Sequence, residues 1–307
     1  MEVIHTMSLL SAVFYSALFL FLYATAARIA RYAKMPPHLR WELYPAAPEK
    51  GASEGSYLEQ QEWWNKPRHR SRLAELRFQA IEMFLFHRCY VNNRGIWRFT
   101  LPFHWGLYLL TCWLLIQFPC SGAAFFLETL GRTTIFVDRA ASLARPIGIV
   151  GLVLAAYGCT GLVLKRLTDR VLRSATSRSD FFGLFLILGI LFCWLLSWGL
   201  FDRSFAGATR YVRELAEFAP LPGVNPFMIC GTVLFSVFLA YMPFTYMAHA
   251  FAKYFIFHKV VWQDAPMAQG SETERRIEQL LGEPVGWSAS HINKGASWSK
   301  TVSSPPK

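Results

Sequence analysis

The stretch FFGLFLILGILFCWLLSWGLF, residues 181–201, contains no charged side chain. About 20 predominantly apolar residues in a helix are enough to cross the hydrocarbon core of a bilayer. A helix on the surface of a soluble domain would instead carry a polar face. The stretch therefore predicts a membrane-spanning helix, and an integral membrane protein is the first expectation for the chain.

Four further apolar segments have the same character. Pro243 is expected to kink the last of them, and Thr100 is expected to cap the second. Small residues recur along the third and permit close packing against a neighbouring helix. The sequence therefore predicts an all-α integral membrane protein, a bundle of five transmembrane helices. The four further segments cover about residues 4–30, 101–118, 146–165 and 226–257.

Polar residues fill the loop after helix 1 and the C-terminal tail. Residues 73–89 are amphipathic and predict a helix that lies along the membrane surface. Residues 271–282 predict a short helix, and the last residues are expected to be extended or disordered. The predicted regions are transmembrane helix 1 (1–30), a cytoplasmic loop (31–97), four transmembrane helices (98–258) and a cytoplasmic tail (259–307).

Lys and Arg are distributed unevenly between the two ends of the predicted spans. Residues 28–98 contain 13 and residues 165–178 contain 5, whereas the loops after helices 2 and 4 contain 3 each. The positive-inside rule then predicts an N-terminus outside and a C-terminus in the cytoplasm. The net charge of +11 largely reflects this asymmetry, so nucleic acid is not expected as a partner. No positive residue precedes the first segment, which is expected to be a retained helix.

Two of the eight histidines, His104 and His249, lie clearly inside predicted spans. At a rise of 1.5 Å per residue, His104 lies about 9 Å and His249 about 6–13 Å from the cytoplasmic boundary. Ionisable residues inside a membrane are costly and usually functional. Two imidazoles at one depth on different helices can supply both axial ligands of a haem iron. Hydrogen-bonded packing and a proton relay remain open as alternatives.

The cysteines argue against other metal chemistry on this chain. There are six, none forms a CxxC pair, and most fall inside apolar segments. Iron–sulfur sites need clustered cysteines, which this chain lacks. We therefore expect its cysteines to be packing residues, and we expect any iron–sulfur cluster on another subunit. The chain has no CxxCH motif, which excludes a covalently attached c-type haem.

These features together resemble the cytochrome b (gamma) subunit of respiratory nitrate reductase. FHWG at 103–106 opens helix 2, and His249 follows Met247 and Ala248 late in helix 5. The chain is more similar to relatives in heterodisulfide-reductase-like and sulfate-reducer electron-transfer complexes. Those relatives carry stretches similar to RWELYP (40–45), PFHWGLY (102–108), YFIFH (254–258) and WSASH (287–291).

The resemblance implies b-type haem, a membrane quinone, expected to be menaquinone, and a cytoplasmic iron–sulfur partner of heterodisulfide reductase type. It also implies the cytoplasmic (inner) membrane of a bacterium or archaeon. The nitrate reductase subunit binds two haems, but Leu114 and Gly231 stand at or near the positions of its second pair of histidines. Many closer relatives have a further His where Tyr246 stands here. One haem b on His104 and His249 is therefore expected, and a second stays open.

The expected function is electron transfer in a quinone-linked oxidoreductase complex of a respiratory chain, whether or not this subunit is itself an enzyme. A cofactor-free membrane anchor for the same partner is the alternative. A small transporter is disfavoured, because the spans contain few polar groups. Four residues are expected around the haem or the quinone: Trp105, Tyr108, Tyr246 and Lys253, the last within reach of a haem propionate.

Overall fold

The computed structural model describes residues 2–34, 61–62, 72–219, 223–256 and 269–303. These residues form helices, turns and two isolated bridges, and no strand occurs among them. Two compact units can be distinguished. The first comprises residues 1–24 and 79–245, and the second comprises residues 25–78 and 246–307. Each unit is described by itself below.

Thirteen α-helices run through the described residues. In chain order they are α1 (Glu2–Lys34), α2 (Arg72–Phe84), α3 (His87–Asn92), α4 (Arg94–Thr129), α5 (Ile135–Leu143), α6 (Arg145–Thr168), α7 (Arg170–Ala175), α8 (Arg178–Phe201), α9 (Ala206–Ala216), α10 (Pro226–Tyr241), α11 (His249–Ile256), α12 (Glu272–Gly282) and α13 (Trp298–Ser303). Two short 3₁₀ turns, Met242–Phe244 and Tyr246–Ala248, lie between α10 and α11.

Five helical segments are long and apolar enough to cross a membrane. The prediction of an all-helical chain with five such spans is therefore confirmed, and the composition of these helices marks a membrane protein. The sidedness of the termini, the loop and the tail stays a prediction. The five segments are Leu9–Lys34, Arg94–Thr129, Ile135–Thr168, Arg178–Phe201 and Pro226–Phe244.

The second span differs from its prediction at both ends. Helix α4 begins at Arg94, and its cap is Asn93, whose Oδ1 accepts a hydrogen bond from the Ile96 amide at 3.0 Å. Thr100 lies inside the helix, so its predicted capping role is wrong. The helix also continues past residue 118 to Thr129, with Pro102 and Pro119 in its interior. The Asn93 side chain satisfies an amide that would otherwise lack a partner, and it does so about two turns before the expected cap at Thr100, which moves the helix start.

The predicted single helix over residues 226–257 is wrong, because the chain leaves the α conformation around Pro243. Helix α10 ends at Tyr241, and Thr245 is fully extended, with φ −111° and ψ 175°. Proline lacks an amide hydrogen, so Pro243 cannot donate the helical hydrogen bond to the carbonyl of residue 239. Pro243 therefore contributes to a break rather than a kink, and a new helix begins at His249.

Close backbone contact between α4 and α6 organises the core of the first unit. A Cβ built on Gly106 would lie 2.2 Å from the Ala155 amide nitrogen, and one on Gly158 would lie 2.4 Å from that of Phe103. Only glycine leaves enough room for two helix backbones to come this close. The prediction that small residues of the third span allow tight helix packing is therefore confirmed. His104 lies on the stretch of α4 between these two contacts.

The structures of the amphipathic segment and of the tail also differ in part from their predictions. Residues 73–89 form two helices rather than one, because Phe86 adopts a left-handed conformation with φ 52° between α2 and α3. The helix predicted at 271–282 is confirmed as α12, and Ser271 caps it. The expectation that the last residues are extended or disordered is wrong up to Ser303, where α13 ends.

Candidate functional site

His104 is held on α4 by a hydrogen bond to its own helix. Its Nδ1 atom lies 2.8 Å from the carbonyl oxygen of Thr100, one turn earlier. A carbonyl oxygen can only accept, so Nδ1 carries the hydrogen in this bond and the lone pair lies on Nε2. Histidines that bind metals through Nε2 are commonly oriented by this type of bond. The side chain is half-buried, consistent with a ring set in a defined orientation.

Three aromatic rings surround the His104 imidazole within the first unit. The ring centroids of Phe86, Phe103 and Tyr108 lie 4.6, 5.1 and 6.4 Å from that of His104. Phe86 comes from the left-handed junction between α2 and α3, so that junction places a ring against the imidazole. Such aromatic neighbours provide the apolar surroundings that a flat macrocycle or a packed imidazole requires.

Aromatic side chains of α4 also donate hydrogen bonds to the C-terminal end of α2. The last carbonyl groups of a helix have no partner within it. Three side-chain donors satisfy them here and join the two helices beside His104. The bonds run from Trp97 Nε1 to Leu85 O (2.8 Å), from Trp105 Nε1 to Phe84 O (2.9 Å) and from Tyr108 Oη to Met83 O (3.1 Å).

Glu82 lies at the same end of α2, and its side chain is 6% exposed. It is the only Asp, Glu, Lys or Arg that is buried in the described part of the chain. Its Oε1 accepts a hydrogen bond from the Arg88 amide at 3.2 Å. Burial raises the pKa of the nearby Cys89 thiol, a hydrogen bond with Thr100 lowers it, and the charge of Glu82 adds to the rise. Sequence reasoning missed this carboxylate, because its bond to the Arg88 amide depends on the left-handed turn of the chain at Phe86 between α2 and α3.

His249 begins α11 in the second unit. Its Nδ1 lies 3.1 Å from the carbonyl oxygen of Tyr246, so this imidazole also presents Nε2 as its acceptor nitrogen. The Tyr246 ring stacks on it, with centroids 6.0 Å apart and planes inclined by 15°. Lys253 follows one turn later on α11 and is partly buried. Both His249 and Tyr246 are exposed.

The predicted site residues thus fall into two groups. The structure brings Trp105 and Tyr108 together with His104, and it brings Tyr246 together with His249. His104 belongs to the first unit and His249 to the second, so their pairing across one iron stays a prediction. Of the other histidines, His87 and His291 are exposed, and His258 lies outside the described residues.

An apolar cavity of about 110 Å³ lies within the first unit. Leu114 contributes to its wall, beside Trp194 and Phe235. None of the described residues that line it is a histidine. A molecule in this cavity would therefore be held by packing rather than by an imidazole.

Comparison with protein-family models, with curated proteins and with solved structures finds no match for this chain. Within the described ranges, no three His, Cys, Asp or Glu side chains form a group that could hold a metal ion. What the protein does is therefore inferred from the residues around His104 and His249.

Proposed function

We propose that the protein is the haem b-containing membrane subunit of a respiratory complex. It would pass electrons between a membrane quinone and a cytoplasmic iron–sulfur partner of heterodisulfide reductase type. The main support for the proposal is a hydrogen bond that both candidate ligands make. In both His104 and His249, Nδ1 bonds a backbone carbonyl oxygen one turn or less away, at 2.8 and 3.1 Å.

The donor chemistry of the two imidazoles fits a six-coordinate haem iron. Bound haem b would supply reversible one-electron chemistry between the two redox partners. His104 and His249 would hold it through Nε2, the nitrogen that both Nδ1 hydrogen bonds leave as an acceptor. A carbonyl partner on Nδ1 fixes the ring orientation and raises the basicity of the other nitrogen. Both effects favour an axial ligand over a mobile surface histidine.

Neighbouring side chains support roles in holding the haem or the quinone. The N–H of Trp105 and the O–H of Tyr108 are engaged with carbonyls of α2, so their rings offer stacking surface rather than donors. Tyr246 is half exposed and also offers a ring face. Lys253 supplies a cation that suits a haem propionate or a quinone oxygen. A quinone ring would then be recognised mainly by stacking.

The iron–sulfur partner is proposed from the chain's cysteine usage and the resemblance. The chain contains no CxxC pair, so the cluster is assigned to a separate subunit. The loop and the tail are the proposed contact regions, because Trp and Arg side chains favour interfaces. Most of the loop that carries RWELYP lies outside the described residues.

Haem content tests the proposal directly. The full chain is purified from a haem-replete host, and its haem stoichiometry and dithionite-reduced spectrum are measured beside those of His104→Ala and His249→Ala. We expect a b-type spectrum in the wild type and loss or marked weakening of it in both variants. His291→Ala, which changes an exposed histidine of the tail, is the matched control and should keep its haem. A wild-type protein without haem, or full haem in both ligand variants, contradicts the proposal.

A cofactor-free membrane anchor is the second candidate. It is favoured by the hydrogen bonds of Trp105 and Tyr108 to α2, which show that residues beside His104 serve to join helices. In that case His104→Ala leaves both assembly with the partner and electron transfer intact. Co-purification of the partner with the variant, measured together with haem content, separates the two functions.

A further inference from the structure

Arg145 is a partly buried arginine without a counter-charge. It is the first residue of α6, and its Nε atom is buried without a hydrogen-bond partner. No carboxylate in the described part of the chain forms an ion pair with it. A buried hydrogen-bond donor without a partner costs free energy. The Nε of Arg145 is therefore a donor that a ligand in contact with this side chain would satisfy.

Arg145 lines a polar pocket of about 280 Å³ in the first unit. Its walls come from the C-terminal half of α4, from α5, from the start of α6 and from α9. The volume far exceeds the roughly 30 Å³ that one water molecule occupies in the liquid. A tetrahedral oxyanion together with a few water molecules therefore fits inside it.

The charges around the pocket leave Arg145 uncompensated. Asp138 is the carboxylate among the described lining residues, and it is already engaged by Arg213 Nη1 at 3.2 Å and by the Thr134 hydroxyl at 2.7 Å. Arg210, which also lines the pocket, is 67% exposed and has only a 3.9 Å contact with Glu214. The pocket thus carries positive charge that its own carboxylate does not neutralise.

The hydrogen-bond donors of the pocket narrow the choice of ligand. The polar groups of Gln117, Ser121 and Thr209 already donate to the backbone carbonyls of Ala141, Gln117 and Phe205. The Ser142 hydroxyl forms no hydrogen bond within the described part of the chain. The groups that remain available are thus the guanidinium of Arg145, that of the more exposed Arg210, and the Ser142 hydroxyl. Guanidinium matches the paired oxygens of a phosphate group better than it matches a single-atom anion.

We propose that this pocket binds a phosphate group through Arg145 and Ser142. The phosphate can be that of a phospholipid headgroup or of free inorganic phosphate. Arg145 is the last charged residue before the apolar stretch of α6 that runs to Leu164, and lipid headgroups are found where such apolar stretches begin. The site is separate from His104, and the proposal does not depend on haem.

Binding is tested with the full chain, purified in a maltoside detergent without added lipid. Thermal unfolding is followed against sodium phosphate, with sodium chloride at matched ionic strength as the blank. A second titration uses phosphatidylglycerol, and bound lipid is counted by native mass spectrometry. We expect Arg145→Gln to weaken binding about tenfold or more, and Ser142→Ala to weaken it a few-fold. Arg139→Gln, at an exposed position of α5 outside the pocket lining, should bind as the wild type does.

The outcomes distinguish the two sources and can overturn the proposal. Stabilisation by inorganic phosphate as well as by phosphatidylglycerol assigns a general phosphate site, and an effect of phosphatidylglycerol alone assigns a headgroup site. Equal responses in the wild type and Arg145→Gln, or no response to either probe, overturn it. If Arg145→Gln does not purify as a folded protein, Arg145→Lys decides, because unchanged affinity there removes the role of the guanidinium.

Discussion

The indole nitrogen of Trp105 donates a hydrogen bond to the carbonyl oxygen of Phe84 at 2.9 Å. The bond joins α4 to the last turn of α2, beside the aromatic rings that surround His104. Trp105 was expected near the haem or the quinone. In the structure its polar group instead caps a neighbouring helix, so it contributes to the rigidity of the surroundings of His104.

The first prediction concerns this bond. Trp105→Phe removes the donor but keeps an aromatic ring, so the Phe84 carbonyl loses its partner at the end of α2. We expect a loss of about 0.5–1.5 kcal/mol and faster amide hydrogen exchange in residues 79–85. Trp287→Phe, at a half-exposed position of the tail, is the matched control. Unchanged exchange in α2 of the Trp105 variant would show that the bond does not hold the helix end.

The second prediction concerns the close approach of α4 and α6. Gly106→Ala places a Cβ 2.2 Å from the Ala155 amide nitrogen, so the helices must separate. We expect destabilisation of about 1–3 kcal/mol, measured as unfolding in a denaturing-detergent titration. In Gly199→Ala the new Cβ meets nothing within 4 Å, so this variant should be neutral or slightly more stable. Equal effects of the two substitutions would argue against tight packing at Gly106.

The third prediction concerns the pH dependence set by Glu214 on α9. Burial raises the pKa of this carboxyl above its ordinary value of 4.5, Arg210 offsets part of the rise, and the charge of Glu217 adds to it. The folded state therefore holds this proton more tightly than the unfolded state does. The contribution of Glu214 to stability is then largest below pH 4.5 and is lost as the pH rises through the folded-state pKa.

Glu214→Gln tests the sign of this effect. The difference in unfolding free energy between variant and wild type, measured from pH 4 to pH 8, should shift in favour of the variant as the pH rises. Because both proteins share the remaining titrating groups, the difference isolates Glu214 to a first approximation. A difference that moves the other way with pH would mean that Glu214 is stabilised in its charged form.

Local composition was sufficient for the features that depend on a single segment. The apolar runs predict five spans because transfer of each helix into lipid depends on its own length and side chains. Ser271 and the residues after it predict α12 because capping and helical periodicity are also local. The same reasoning placed His104 in its helix. It placed His249 inside the fifth span, whereas that span ends at Phe244 and His249 begins α11, and the pairing of the two histidines stays a prediction.

Other features depend on partners far away in the sequence, and only the tertiary structure decided them. Glu82 is buried and accepts a hydrogen bond from the Arg88 amide of α3, and Trp105 caps α2 from a position 21 residues after Phe84. Arg145 stands out only when Asp138, the carboxylate of the same pocket, is seen to be engaged by Arg213. The sequence by itself thus determined which segments are long and apolar enough to cross a membrane, since that is a property of each segment. The tertiary structure decided which polar groups meet, since hydrogen bonds and ion pairs depend on positions that no local pattern records.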